Sequence, residues 1–196
     1  MPNPLILASA STARRRVLEG ARVPFVQEPS GIDEAALKTA LGDRPPRALA
    51  ATLALAKAEA VSARRPEAIV LGADQVLECE GRLFDKPRDA NEARAQLVVL
   101  RGREHRLVNG LALVRAGRTL WRHDDEARLW MRDFTDAFLD GYLAEAGPDI
   151  LESVGAYRLE GRGAQLFSRI EGDFFSILGL PLLPLLDALR REGILA

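Results

Sequence analysis

The order of segments in this chain predicts an α/β protein with a mixed sheet rather than a regular doubly wound one. Three observations carry that expectation. An apolar run, Leu5-Ile6-Leu7-Ala8, leads through a Ser-rich turn into a stretch of helical composition. A second apolar run, Ala68-Ile69-Val70-Leu71-Gly72, follows a long Ala/Leu-rich helical segment. His105 to Arg115 and Arg118 to Arg132 then read as two long strands around the turn Ala116-Gly117. Such a hairpin is antiparallel and does not belong to an all-parallel sheet.

Each element has its own local signal. Ser11 or Thr12 caps a first helix through Glu19, and Val23 to Val26 reads as a second short strand. Gly31-Ile32-Asp33-Glu34 begins a loop. From Pro45 to Ala63, Leu49, Leu53, Ala56 and Ala60 fall at helical spacing, and Pro66 ends the helix after Arg65. Gln75 to Cys79 continues the sheet to a turn at Glu80-Gly81, and Arg82 to Arg88 is read as a loop. Asp89 caps a helix reaching Leu100. Thr135 starts a helix that Gly147-Pro148 stops. Glu160 to Gly163 is a flexible turn, Gln165 to Ile170 and Phe174 to Leu178 read as strands, and Pro181 to Glu192 is the closing helix.

The 196 residues suit one domain, 1–196, whose core needs no disulfide or metal staple. A single cysteine, Cys79, excludes an intramolecular disulfide and a cysteine-based zinc site, and reads as a small apolar residue. The net charge of −1 argues against a broad nucleic-acid or anionic-membrane surface but leaves room for one basic pocket. No secretory signal is visible, and the apolar run from Ile177 to Leu186 is short and broken by Pro181 and Pro184, so the expectation is a cytoplasmic protein with no membrane partner. Only Lys38, Lys57 and Lys86 are lysines, so lysine positions are worth weighing.

Five places can carry chemistry. Ser9, Ser11, Arg14 and Arg15 cluster at a helix N-terminus, where free N–H groups, the helix dipole and guanidinium forks favour an anion. The plainer alternative is a capped helix with solvated arginines. Asp74, in Gly72-Ala73-Asp74-Gln75, follows a buried strand and suits a metal ligand or general base, or simply a turn. Lys86-Pro87 holds a rare lysine in a stiff loop, able to reach a phosphate or to stay solvated. Lys57 sits mid-helix among alanines and either snorkels at an edge or points into a cleft. The glycine-rich Glu160-Gly161-Arg162-Gly163 lets a backbone approach a ligand with a carboxylate beside it, or is a hairpin turn. His105 and His123 lack partners at metal spacing and read as structural or surface residues. No P-loop, nucleophile elbow or dinucleotide fingerprint occurs.

In sequence order these pieces resemble the Maf family of nucleoside triphosphate pyrophosphatases. The matching stretches are Leu5 to Ser11 with Arg14-Arg15, Ile32-Asp33-Glu34, Ala56-Lys57-Ala58, Leu71 to Val76, and Lys86-Pro87. Ala156-Tyr157 with Glu160 to Gly163, Ile170 to Asp173 and Gly179 to Leu182 follow, so the resemblance runs from residue 5 to residue 193. It implies an elongated, two-lobed α/β fold like that of inosine triphosphate pyrophosphatases, with the substrate in a central cleft. It also implies hydrolysis of a nucleoside triphosphate to monophosphate and pyrophosphate, a divalent cation (Mg²⁺ or Mn²⁺) and a homodimer. Carried onto this chain, Asp74 is the catalytic base, Glu34 and Asp74 are the metal ligands, and Ser9, Arg14, Lys57 and Lys86 surround the phosphates.

The chain departs from the family pattern at Ser11-Thr12-Ala13-Arg14, where most members have Ser-Pro-Arg-Arg. Ala13 stands where the dTTP/UTP branch keeps an arginine. That branch also has Thr after its Gly-Ala-Asp and Gln before its glycine turn; this chain has Gln75 and Glu160, resembling the 7-methyl-GTP pyrophosphatase branch. A carboxylate accepts the two adjacent donors of a guanine edge, whereas an amide matches thymine or uracil. The expectation is therefore 7-methyl-GTP or a related modified nucleotide, with base choice at Ala13, Gln75 and Glu160. The alternatives are a dTTP/UTP pyrophosphatase and, in another class, a non-catalytic nucleotide-binding regulator of septum formation.

Overall fold

The computed structural model describes residues 4–196. They form a seven-stranded mixed sheet. Its strands are β1 (Leu5–Leu7), β2 (Val26–Gln27), β3 (Ile69–Cys79), β4 (Arg82–Phe84), β5 (Glu104–Arg115), β6 (Arg118–Met131) and β7 (Phe167–Glu171). The order is β2-β1-β3-β5-β6-β7, with β4 also on β3. β1 runs parallel to β2 and β3, and every other pair is antiparallel. The helices are α1 (Thr12–Gly20), α2 (Glu34–Leu41), α3 (Pro46–Arg64), α4 (Ala90–Leu100), α5 (Asp136–Ala146), α6 (Phe174–Ile177) and α7 (Leu182–Arg191).

Two features of this sheet prepare a site. The first is a notch. β1 pairs with β3 only as far as Leu7↔Leu71, and β4 joins the same strand at Leu77↔Phe84. Residues 72–76 of β3 thus have no strand neighbour on that edge, just beyond the carboxyl end of parallel β1. Crevices at such strand ends are where α/β sheets bind ligands. The second is alternation. Val70 and Val76 pack against α3 on one face, through Ala58 and Val61 for the first and Leu49 and Leu53 for the second. Leu71 and Ala73 face the other way, toward Val17 and Leu18 of α1 and Leu185 and Leu189 of α7. A separate core on that second face joins Leu77, Leu107 and Leu129 to Leu97, Leu139 and Tyr142 of α4 and α5.

α3 lies unusually close to the sheet. Ala50, Ala54 and Ala58 recur every four residues and so form one stripe along the helix. Beneath the stripe are Gly72 and Gly110. A Cβ on Gly72 would lie 2.0 Å from the Ala54 carbonyl oxygen, and one on Gly110 would lie 2.5 Å from the Ala50 carbonyl. Glycine is required at both places because helix backbone occupies the space a side chain needs.

Several local expectations are corrected. Phe174 to Leu178 is not a strand: Asp173 accepts from the Phe175 and Ser176 N–H groups and caps the short helix α6. A five-residue segment, apolar but for Ser176, does not distinguish the two states by periodicity. Gly31 to Glu34 leads into α2, capped by Asp33; this two-turn helix buries none of its residues completely, and only Leu37 and Leu41 mark its packed face. The segment Arg82 to Arg88 begins with β4 before it loops. The second strand is only Val26–Gln27, and the sheet residues near the C-terminus start at Phe167, after a 3-10 turn over Arg162–Leu166 that replaces the expected flexible hairpin. Asp74 does not end a strand but lies within β3.

Gly72→Ala is expected to lower stability by roughly 1–3 kcal/mol, the usual cost of overfilling a packed contact. Gly20→Ala, with open space around its Cβ and no positive φ, serves as the control. Urea unfolding of both variants checks this. A Gly72→Ala curve lying on the wild-type one would mean that α3 does not need its close approach.

Candidate active site

Lys57, Asp74 and Glu34 meet at the notch. Asp74 shares the face of β3 that carries Gly72, so it points toward α3, where Lys57 lies one residue before Ala58. The Lys57 Nζ is 2.6 Å from Asp74 Oδ1 and 2.9 Å from Glu34 Oε2. The side chains of Lys57 and Asp74 are 7% and 8% exposed, whereas that of Glu34 is 45% exposed. Glu34 reaches the group from the first turn of α2, which packs Leu37 and Leu41 onto the α3 core. The lysine is therefore a buried bridge between two carboxylates, not a snorkelling edge residue.

The second group stands at the N-terminus of α1. Ser11 caps the helix by accepting from the Arg14 N–H. The Arg14 guanidinium is buried; its Nε donates to the Gly179 carbonyl at 2.8 Å, and a terminal nitrogen donates to Ser9 Oγ at 3.1 Å. Burial pulls the Arg14 pKa below the ordinary arginine value, while Asp74 and Glu34 pull it back up. Lys86 lines the same cleft from the loop after β4. Desolvation lowers its pKa first, and the nearby Arg14 and Lys57 charges lower it further. Arg14 and Lys57 both disfavour the charge on Lys86, so a cleft that gathers these three cations is a place where an anion is stabilising.

These residues line one cleft of about 540 Å³, in the range of small-molecule sites. Ser9, Ala13, Arg14, Glu34, Lys57, Asp74, Gln75, Lys86 and Glu160 all contribute to its lining. Gln75 points to the opposite face of β3 from Asp74, and its side-chain nitrogen donates to Asn109 Oδ1 and to the Ser176 and Ile177 carbonyls. Glu160 Oε1 accepts from Arg158 Nε at 3.1 Å. His105 is buried and hydrogen-bonded to the Tyr157 hydroxyl at 2.8 Å, and desolvation lowers its pKa to about 4. His123 stacks on Trp121. Both are structural, as their isolation in the sequence implies.

Some contributors have no sequence signature. Thr12 Oγ1 donates to Glu152 Oε2 at 2.7 Å, tying the α1 N-terminus to a 3-10 turn 140 residues away. Lys38 of α2 pairs with Asp85 of the Lys86 loop. Both contacts join opposite walls of the cleft across long sequence separations. The rarity of lysine was the one available hint at Lys38. Among the described residues no helix is long and apolar enough to cross a membrane.

A notch at a parallel strand end, floored by paired carboxylates and three cations, defines a phosphate-handling α/β protein. The family described as "Maf-like protein" matches residues 4–192, and the chain belongs to that family. It is 52% identical over 190 residues to a protein named nucleoside triphosphate pyrophosphatase from Paramagnetospirillum magneticum, covering 96% of this chain and 98% of that one. A protein of the same name from Maricaulis maris is 50% identical, with 97% of each chain covered. A Rhizobium etli relative named 7-methyl-GTP pyrophosphatase is 48% identical, with 96% of each covered. A solved nucleoside-triphosphatase/dITP-XTP pyrophosphatase from Mycobacterium abscessus aligns at a TM-score of 0.43 and 14% identity, covering 97% of this chain and 94% of that one, too remote to argue from.

Lys57→Met is expected to destabilise the fold by roughly 3 kcal/mol, because it leaves Asp74 as a buried charge without its partner. Combining it with Asp74→Asn should recover much of that loss. Denaturant unfolding of the two single variants and the double variant checks both statements, and equal losses in Lys57→Met and the double variant would refute the pairing.

Proposed function

We propose that this chain hydrolyses a nucleoside triphosphate to the monophosphate and pyrophosphate, with 7-methyl-GTP or a related modified purine nucleotide as its preferred substrate. The supporting observation is the Lys57–Asp74–Glu34 group set beside Arg14 and Lys86 in one cleft. Pyrophosphatase activity is the activity named for relatives about half identical over nearly their whole length.

The cleft lies between two lobes of a single domain, each lobe carrying its own core on the α1/α7 or the α4/α5 side of the sheet. In our reading the triphosphate lies along Ser9, Arg14, Lys57 and Lys86. Arg14 offers the guanidinium hydrogens left free by Gly179 and Ser9, and Ser9 can donate its hydroxyl proton. Asp74 takes the proton of a water that attacks the α-phosphorus as the bond to the β-phosphate oxygen breaks, and pyrophosphate departs. Lys57 holds Asp74 in place through Oδ1.

The residues also fit a divalent cation. Arg14, Lys57 and Lys86 against Glu34 and Asp74 leave the floor only one positive charge ahead, far short of neutralising a triphosphate. Among the described residues no cage of three or more His, Cys, Asp or Glu side chains forms. Two carboxylates beside a phosphate path are the donor set of a hard cation that shares substrate oxygens, Mg²⁺ or Mn²⁺. Glu34 and Asp74 would hold it, and when bound it supplies charge neutralisation at the phosphates.

Base choice is assigned to Ala13, Gln75 and Glu160. Ala13 leaves the α1 wall open, and Glu160 places a carboxylate at the same wall. A carboxylate accepts the paired donors of a guanine edge and attracts a methylated, cationic ring.

Asp74→Asn is expected to lower turnover about 10²-fold or more while folding and binding persist, the size of a lost general base. Pyrophosphate release with Mg²⁺, measured across a nucleotide panel, checks it; a variant as fast as wild type removes Asp74 from the chemistry. A wild type that binds nucleotides yet releases no pyrophosphate would make the chain a binding regulator instead.

Glu160→Gln with Gln75→Thr is expected to move kcat/KM from 7-methyl-GTP toward dTTP and UTP by about 1–3 kcal/mol of discrimination, the cost of one mismatched polar contact once the bound base covers it. Rates on the three substrates for wild type and variant decide it. A wild type that already prefers dTTP, or an unmoved ratio, places base choice elsewhere.

A further inference from the structure

Gln75, Asn109 and Asp125 stand in one row across three adjacent strands, since Gln75 pairs with Asn109 and Asn109 with Asp125. All three reach a single residue, Ser176 of α6. The Ser176 carbonyl accepts from Gln75 Nε2 at 3.0 Å and from Asn109 Nδ2 at 2.8 Å, and the Ser176 hydroxyl donates to Asp125. Asn109 and Ser176 are fully buried. A fully buried asparagine in the central strand is retained only where its amide is engaged, and here its nitrogen is.

The same Ser176 carbonyl also accepts the Gly179 N–H at 3.1 Å. Gly179 has φ +84, a conformation that favours glycine, and its own carbonyl accepts the Arg14 Nε–H at 2.8 Å. A continuous path of hydrogen bonds therefore runs from the middle of the sheet to the Arg14 guanidinium, 165 residues away in sequence from the carbonyl that holds it.

We propose that Asn109, Asp125 and Ser176 are positioning residues: they lock the α6 turn so that the Gly179 carbonyl fixes Arg14 facing the cleft. That Arg14 then meets phosphate rests on the function proposed above; the positioning itself does not.

The test reads Arg14 directly. In protein labelled with ¹⁵N-arginine, exchange of the Arg14 Nε proton with water is followed, with Arg106, whose Nε donates to Glu78, as internal control. In Asn109→Leu and Ser176→Ala the Arg14 proton is expected to exchange roughly tenfold faster or more, the scale of one lost hydrogen bond in a charged network, with Arg106 unchanged. Asp125→Asn, whose single amide oxygen cannot accept from both the Glu126 N–H and the Ser176 hydroxyl as the carboxylate does, should accelerate Arg14 exchange, though less than Ser176→Ala. If Asn109→Leu does not fold, Ser176→Ala, which deletes one oxygen, decides the matter. Unchanged Arg14 exchange in a folded Ser176→Ala protein would overturn the proposal, as would acceleration of Arg14 and Arg106 alike. In kinetics, Ser176→Ala should cost little further kcat/KM in an Arg14→Ala background. A wild type without pyrophosphate release would defeat the proposed function and leave the exchange result to judge the positioning.

Discussion

The closeness of α3 to the sheet governs the rest of this molecule. Gly72 and Gly110 let the Ala50, Ala54 and Ala58 stripe sit almost on strand backbone. A lysine side chain is long, but a buried ammonium needs its carboxylate at hydrogen-bond distance, and helix and strand must be held to a few tenths of an ångström for that. Lys57 and Asp74 meet at 2.6 Å because Lys57 adjoins Ala58 and Asp74 follows Gly72 on the same face of β3. The packing thus fixes the charged centre. The charges, taken out of water, contribute little net stability of their own.

The notch supplies access that this packing would otherwise deny. Asp74 and Gln75 point to opposite faces of β3, yet both line one cleft, because β1 has already ended and β4 has not begun where they stand. The gap exposes both sides of the strand at once. One side holds the carboxylate–lysine pair, and the other is anchored to α6 through the Gln75 amide. Two separate cores brace the walls on either side. Thr12–Glu152 and Lys38–Asp85 are the thin polar ties that cross between them. Exposed ties of this kind are weak, so they permit the walls to part more readily than the cores permit the floor to move.

What the sequence disclosed follows the range of its signals. Strong local patterns were readable: the long hairpin, the α3 helix, the caps at Ser11, Asp89 and Thr135. The mixed sheet followed from them. The short helix α6 was mistaken for a strand because a five-residue, mostly apolar segment has no period, and α2 was missed because only Leu37 and Leu41 mark the packed face of its two turns. The candidate residues were found by chemistry and resemblance, and the structure gathers them around one cleft. Their partners were not legible. Neither Asn109 nor Ser176 has a local neighbour that would betray it, since the side-chain bonds that join them to Gln75, Asp125 and each other span 34 to 101 residues. Gln75 looked like a base-reading position, and nothing local revealed that its nitrogen is also anchored to a helix.

The arrangement explains why charge is kept in the interior at a cost to stability. A polyanion passing from water into a cleft loses solvation, and flexible surface cations would have to be ordered at the moment of binding. Here the ordering is done during folding. Lys57 is clamped by Glu34 and Asp74, and Arg14 by Ser9 and Gly179, before any ligand arrives. Lys86 is the exception. It remains exposed in its loop, where partial desolvation first and then the Arg14 and Lys57 charges lower its pKa, so an arriving anion offsets a repulsion that the folded chain carries alone. Two cations built into the floor and a third that gains from the ligand make binding of a phosphate chain favourable without a broadly basic surface, which agrees with a net charge of only −1.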